Sequence, residues 1–247
     1  MKVVATYSIK GGVGKTTTAV NLSHEAARSG ARVLLWDLDP QGGATYLVRL
    51  KPFVKGGAER LASGKGELAP HVRASDVTGL EVVPADFSLR HLDLHLDSTK
   101  HPTRRLRALL EPLGGRYDLA ILDCPPGISL SSESVFGAVD ALLVPTVPSM
   151  LSRRTLDQLV GFLAEVHVRP MVLPFATMVD RRRRLHREVL DELMRDEPGF
   201  LPTTIPEASV IEQMGVQRAA VGAFAPTSGA AECYRHLWDD VAGRLWT

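Results

Sequence analysis

The sequence predicts an α/β fold, a doubly wound and mostly parallel sheet with helices on both faces. Two observations carry this. Apolar runs alternate with helical patterns along the chain in the βαβα manner, and the first run stops at glycines that lead straight into a helix. Strands are predicted at Val3–Ser8, Arg32–Trp36, Leu80–Val83, Leu119–Leu122, Ala141–Val144, Met171–Phe175 and Phe200–Ile205, each a short apolar run bounded by turn residues. Helices are predicted at Lys15–Ser29, Pro102–Leu113, Ser132–Ala138, Leu151–Val166, Leu185–Arg195, Ser209–Arg218 and Gly229–Trp246. Gly30 falls where a helix-ending glycine belongs. The stretch Lys51–Thr78 is rich in glycine and lysine and lacks a long period, so it reads as a surface excursion with one short helix.

Composition narrows the class. A chain of 247 residues with 45% hydrophobic content can bury a sizeable core, and one domain over residues 1–247 is the simplest count. The two cysteines, Cys124 and Cys233, form no CxxC pair and no metal-ligand spacing, which predicts reduced thiols and a cytoplasmic setting. No charged and apolar leader opens the sequence and no run of about 18 apolar residues occurs, so neither secretion nor a membrane span is expected. With 29 basic against 28 acidic residues the net charge is +1, so any affinity for nucleic acid must come from a local patch.

The segment KGGVGKTT, Lys10 to Thr17, reads as a phosphate-binding loop and places the fold among P-loop NTPases. Without a Cβ at Gly11, Gly12 and Gly14 the backbone can approach a polyphosphate, and the helix N-terminus that follows favours negative charge. Lys15 is placed to reach the β- and γ-phosphates of ATP and the Thr16 hydroxyl to ligate Mg²⁺; Val13 and Thr17 complete the loop. The usual G-x-x-x-x-G-K-[ST] spacing fails at Ile9, and the loop begins instead with an extra lysine, Lys10. RVLLWDLDPQGGAT, Arg32 to Thr45, puts Asp37 and Asp39 at a strand's carboxyl end, where ligands bind in an open α/β sheet. YDLAILDCPPG, Tyr117 to Gly127, puts Asp123 in the Walker B position, accepting from a Mg²⁺-bound water.

KGGxGK[ST] with its leading lysine resembles the deviant Walker A motif of the ParA/MinD/Soj ATPases, and the resemblance continues through DxDPQ, PADFSL (Pro84 to Leu89), DCPPG and APTSGAAECY (Ala225 to Tyr234). It implies an ATP-bridged homodimer in which Lys10 reaches the partner subunit's nucleotide. It also implies that Asp39 orients or activates the attacking water and that Asp37 lies close to the metal's coordination shell. FATMVDRRRRLHREVLDEL, Phe175 to Leu193, is similar to the family's TMxD region, which assigns Thr177 and Met178, with Pro206 of IPEAS, to the adenine. The resemblance further implies slow hydrolysis stimulated by a ParB-like or other adaptor protein, non-specific DNA as the matrix, and a cytoplasmic, nucleoid-associated location. The cargo lies outside what the motifs encode.

The run Arg181, Arg182, Arg183 and Arg184, with Arg187 behind it, is the strongest local charge signal. It reads either as a grip on DNA phosphates, extended by Arg153 and Arg154, or as a solvated helix face paired with Glu188, Asp191 and Glu192. The uncharged Ala208–Val210 replaces an arginine common in the family. At the C-terminal end Leu237, Trp238, Val241, Leu245 and Trp246 share a helical face, as in the membrane-binding helix of MinD-like relatives. Arg235 and Arg244 are offset there by Asp239 and Asp240, so packing on the core is expected and membrane insertion is not. A P-loop synthase is disfavoured because it normally needs further domains, a cluster-bearing reductase because the two cysteines offer no symmetric pair, and a binding module without turnover because Lys15 and Asp39 are both present.

Overall fold

The structure is a computed structural model that describes residues 1–64 and 66–246. Eight strands form one sheet: β1 (Lys2–Thr6), β2 (Val33–Asp37), β3 (Arg73–Ala74), β4 (Leu80–Val83), β5 (Leu119–Asp123), β6 (Ala141–Thr146), β7 (Met171–Val179) and β8 (Thr204–Pro206), in the order β3-β4-β2-β5-β1-β6-β7-β8. All pairings are parallel except that of β3 with β4. The predicted doubly wound sheet is thus present. Alternate residues of each strand feed opposite faces. Val4, Leu35, Ile121 and Leu143 pack under the helices Lys15–Arg28 and Gly229–Leu245. Val3, Ala5, Leu34 and Leu122 pack with Leu106, Val135 and Leu159 on the other face.

The helix Lys15–Arg28 ends as Gly30 requires. Gly30 takes the left-handed region (φ 98), its N–H donates to the Ala27 carbonyl, and the Ala31 N–H donates to the Ala26 carbonyl. These two bonds are those of a Schellman cap.

Several predicted elements are corrected. Pro102–Leu113 is an α-helix only over Arg105–Leu110, with 3₁₀ turns at Pro102–Arg104 and Glu111–Leu113. Pro112 has no N–H to continue the α ladder. Ser209–Arg218 breaks into Ser209–Glu212 and Met214–Gln217 and closes with Arg218 at φ 50. The strand expected at Phe200–Ile205 contracts to β8, since Pro202 cannot donate to a ladder. Lys51–Thr78 carries the expected short helix, Gly57–Ala62, and also β3; Lys65 lies outside the described residues. It is more than a surface excursion, because Val54, Leu61 and Leu68 are buried. The helix Leu92–Asp97 escaped prediction because Leu92, Leu94 and Leu96 alternate like a strand. In the fold Leu92 and Leu96 are buried one turn apart and Leu94 is exposed.

The C-terminal helix uses its apolar face internally. Leu237, Trp238, Val241 and Leu245 are buried, Trp238 Nε1 donates to Ser29 Oγ at 3.1 Å, and the rings of Trp238 and Trp246 meet edge to face at 6.0 Å. Among the described residues no helix is long and apolar enough to cross a membrane.

Candidate phosphate site

Sheet topology assembles the site. β5 lies between β1 and β2, and the register aligns Thr6 with Asp123 and Asp123 with Asp37, so the three form one row across the carboxyl ends of neighbouring strands. Lys10–Thr17 begins shortly after β1 and enters the helix that starts at Lys15, which brings Lys15 and Thr16 to Asp123. Gly14 turns the loop into the helix at φ 87, which favours glycine, and a Cβ there would lie 3.5 Å from Thr177 Oγ1.

Within the loop Lys10, Gly11 and Gly12 are exposed, Val13 and Lys15 are buried, and Gly14, Thr16 and Thr17 are half-buried. Lys15 Nζ folds back to donate to the Lys10 carbonyl at 3.3 Å. Burial pushes the Lys15 ammonium below its usual pKa, against the pull of Asp123 and Asp39. Lys10 is exposed and lines a small cleft with Ser8, Pro145, Thr146 and Thr155.

The two buried carboxylates differ in their partners. Asp123 Oδ1 accepts from the Thr6 hydroxyl at 3.4 Å, whereas Asp123 Oδ2 is buried with no hydrogen-bond partner among the described residues. Burial holds Asp123 well above the carboxylate range, the charge of Asp37 adds to this, and the Thr16 hydroxyl opposes it. Asp37 is more fully partnered: Oδ2 accepts the Thr45 N–H at 2.8 Å and the Thr45 hydroxyl at 2.7 Å, and Oδ1 accepts only the Asp39 N–H at 3.2 Å. Burial still pushes Asp37 up to about 6. Asp39 is half-buried, and its Oδ1 accepts the Gln41 N–H at 2.9 Å.

An unpartnered oxygen on a buried acid, with a threonine hydroxyl and a buried lysine beside it, suits a hydrated divalent cation and a polyphosphate. Asp123, Thr16 and Lys15 therefore fit Mg²⁺ and nucleotide phosphates.

The expected adenine residues lie on the neighbouring rim. Thr177 is buried against Gly14, close to the phosphate loop. Met178 is exposed at φ 53, where the β7–β8 register shifts between Ala176 and Val179, and Pro206 pairs with Val179. A left-handed methionine is an uncommon, strained conformation of the kind that gathers at functional sites.

The arginine run is largely paired within the chain. Arg182 and Arg183 meet Asp180 at 3.0 and 3.5 Å, Arg184 meets Glu188 at 2.6 Å, and Arg187 donates to the Arg181 carbonyl at 2.7 Å. Arg153 bridges Glu192 and Asp196.

Known proteins resemble the chain along its length. Residues 1–172 match the family described as AAA domain. The chain is 31% identical over 250 residues, 98% of each protein, to the sporulation initiation inhibitor protein Soj of Bacillus subtilis (strain 168). It is 32% identical over 209 residues to the chromosome partitioning protein ParA of Caulobacter vibrioides (strain NA1000 / CB15N), covering 78% of this chain and 75% of that one. The chain belongs to the ParA-like family of P-loop ATPases. A solved structure of cobyrinic acid a,c-diamide synthase from Mycobacterium smegmatis, with bound ATP analog and magnesium, superposes on this ParA-like chain at TM-score 0.82 and 25% identity. That alignment covers 98% of this chain and 94% of the synthase chain, so the expectation that a synthase must be longer does not separate the two.

Thr45 and Thr6 escaped the sequence reading of this ParA-like site, although Thr45 donates to Asp37 and Thr6 to Asp123. Thr6 stood out only as a polar residue at the end of an apolar run, and Thr45 only as one more polar residue after a glycine turn, a place where a hydroxyl equally fits a helix start.

Proposed function

We propose that the chain binds Mg²⁺ and ATP at the Lys10–Thr17 loop, dimerises with the nucleotides between its subunits, and hydrolyses ATP slowly to position or segregate a cargo. The observation that carries this reading is the row Thr6–Asp123–Asp37 beneath a two-lysine loop, with one Asp123 oxygen free for a metal-bound water. Thr16 would hold Mg²⁺ directly, with Asp123 and Asp37 acting through water, and the ion would supply charge neutralisation at the β- and γ-phosphates. Thr177, Met178 and Pro206 would border the adenine.

In the reaction a water oxygen forms a bond to the γ-phosphorus while the bond to the β,γ-bridging oxygen breaks. ADP leaves with that electron pair, and the water's proton passes to phosphate or solvent. Asp39 orients the water, Lys15 holds the γ-phosphate, and Lys10, exposed on the rim, reaches the partner subunit's nucleotide and stabilises developing charge there. Release of phosphate separates the dimer.

The matrix in this reading is non-specific DNA, held by Arg181 to Arg184 and Arg187. The ion pairs of Arg182, Arg183 and Arg184 carry exposed guanidinium groups and are therefore weak, so phosphates can displace them. A ParB-like or other adaptor would stimulate turnover, and the chain would work in the cytoplasm on the nucleoid.

A phosphate-release assay with wild type, Lys15→Ala and Asp39→Ala tests the reading. Slow release in wild type, lost nucleotide binding in Lys15→Ala, and retained binding without release in Asp39→Ala are expected. Undiminished release in Asp39→Ala contradicts the assignment. Release that requires an added carboxylic acid and an amide-nitrogen donor favours synthase chemistry, which the likeness to the Mycobacterium smegmatis protein keeps in view.

A further inference from the structure

The loop from Asp37 to Thr45 is closed on itself by one carboxylate. Asp37 is wholly buried at the end of β2, and each of its hydrogen bonds to this loop comes from Asp39 or Thr45. The bond from the Asp39 N–H fixes the backbone from which the Asp39 side chain springs. The two bonds from Thr45 fix the carboxylate itself.

The Thr45 hydroxyl does more than donate. Besides its bond to Asp37 Oδ2, its oxygen accepts the backbone N–H of Ala85 at 2.7 Å, just beyond the end of β4. One buried oxygen therefore ties together the end of β2, the start of the helix Gly43–Leu47 and the segment after β4. Two residues earlier Gly43 lies against the proposed metal ligand, since a Cβ at Gly43 would sit 3.0 Å from Thr16 Cγ2. Rotation of the Asp37 carboxylate would shift the Asp39 backbone and the Gly43–Thr16 contact together.

We propose that Thr45 is a positioning residue for hydrolysis: its hydroxyl holds Asp37 in the orientation that anchors the Asp39 backbone, and so sets where the Asp39 carboxylate meets the attacking water. The inference rests on the hydrolytic role given to Asp39 above. A hydroxyl is required because a single atom must donate to Asp37 and accept from Ala85; valine fills the same volume and does neither. Without it Asp37 keeps its two backbone donors, so nucleotide binding is preserved while the Asp39 geometry loosens. Misplacement of a reacting group by about 1 Å costs on the order of 100-fold in rate.

The test compares wild type, Thr45→Val, Thr45→Cys, Thr45→Ser and Asp39→Ala in three measurements: steady-state phosphate release, affinity for a fluorescent ATP analogue, and thermal midpoint. Thr45→Val should lose about 10- to 100-fold in kcat while its affinity for the analogue stays within about threefold of wild type. Thr45→Ser should recover most of the rate, and Thr45→Cys should fall between. If Thr45→Val does not fold, the serine and cysteine variants decide, because equal rates in those two overturn the proposal. Wild-type kcat in Thr45→Val overturns it as well, and so does a parallel loss of affinity and rate in every variant. If wild type hydrolyses ATP in an Asp39-dependent manner and Thr45→Val is unaffected, only the Thr45 role falls. If wild type shows no hydrolysis, or Asp39→Ala hydrolyses normally, the underlying reading falls and this inference with it.

Discussion

Asp123 and Asp37 face each other across neighbouring strands, both buried and both held above the ordinary carboxylate range. Their raised pKa values mean that the native state binds more protons than the unfolded chain. For Asp37 this contribution is fully present below pH 3.8 and is lost as pH rises through about 6. The nucleotide-free protein should therefore lose stability from Asp37 as pH rises from about 4 to about 6, and the raised Asp123 continues the loss in the same direction. His71 works in the opposite direction, since burial holds its ring below the usual 6.5 and favours the neutral form in the fold. Asp118, depressed to about 2 by hydrogen bonds from Arg32, titrates outside the window. Because His71 and Asp118 are common to both proteins, Asp123→Asn isolates the acidic pair. Urea unfolding should find Asp123→Asn more stable than wild type at pH 7.5 and less dependent on pH, with Mg²⁺-dependent ATP binding lost. An equal or steeper pH dependence in the variant contradicts this view of the pair.

At the scale of elements, two segments with amphipathic or charged faces meet different fates. The C-terminal helix spends its apolar face on the helix Lys15–Arg28 and the sheet, so Leu237→Ala should destabilise the fold by about 2–5 kcal/mol in chemical denaturation. A cost under about 1 kcal/mol would mean that this face is not packed in solution. The arginine run is exposed and only locally paired. Changing Arg181 to Arg184 to glutamine in an Asp39→Ala background should weaken DNA binding. The slope of log affinity against log salt should flatten by up to about 0.9 for each lost phosphate contact. Unchanged affinity and slope would assign the run to a solvated face. The sequence showed both segments, the packing of the first on the core and the i,i+4 pairing of Arg184 with Glu188, but not Asp180 as the partner of Arg182 and Arg183 nor which helix covers the apolar face: helical spacing identifies a face, and only the tertiary fold shows what lies on it. The same limit hid Leu92–Asp97, whose leucines alternate like a strand, and misjudged Pro102–Leu113, where Pro112 breaks the ladder inside a continuous apolar pattern.

For the whole molecule, the alternation of apolar runs and helical patterns made the parallel sheet legible, and the glycine-lysine loop marked its ligand-binding edge. Strand order was not legible. The alignment of Asp37, Asp123 and Thr6 arises because β5 inserts between β1 and β2, a long-range pairing that no local pattern encodes. Likewise Thr45 joins residues separated in sequence, Asp37 and Ala85, through one hydroxyl. With a net charge of only +1 the whole-molecule field supplies little attraction for DNA, so under the proposed function nucleotide-driven pairing of two arginine patches would be the step that strengthens binding. In the proposed mechanism ATP pairs the subunits through Lys10. Light scattering on size-separated wild type, Asp39→Ala, Lys10→Ala and Lys15→Ala, each with Mg²⁺ and ATP, tests it directly. Expected are a stable dimer for Asp39→Ala, a transient one for wild type, a monomer with bound ATP for Lys10→Ala, and a monomer without nucleotide for Lys15→Ala. An ATP-dependent dimer that persists in Lys10→Ala would contradict it.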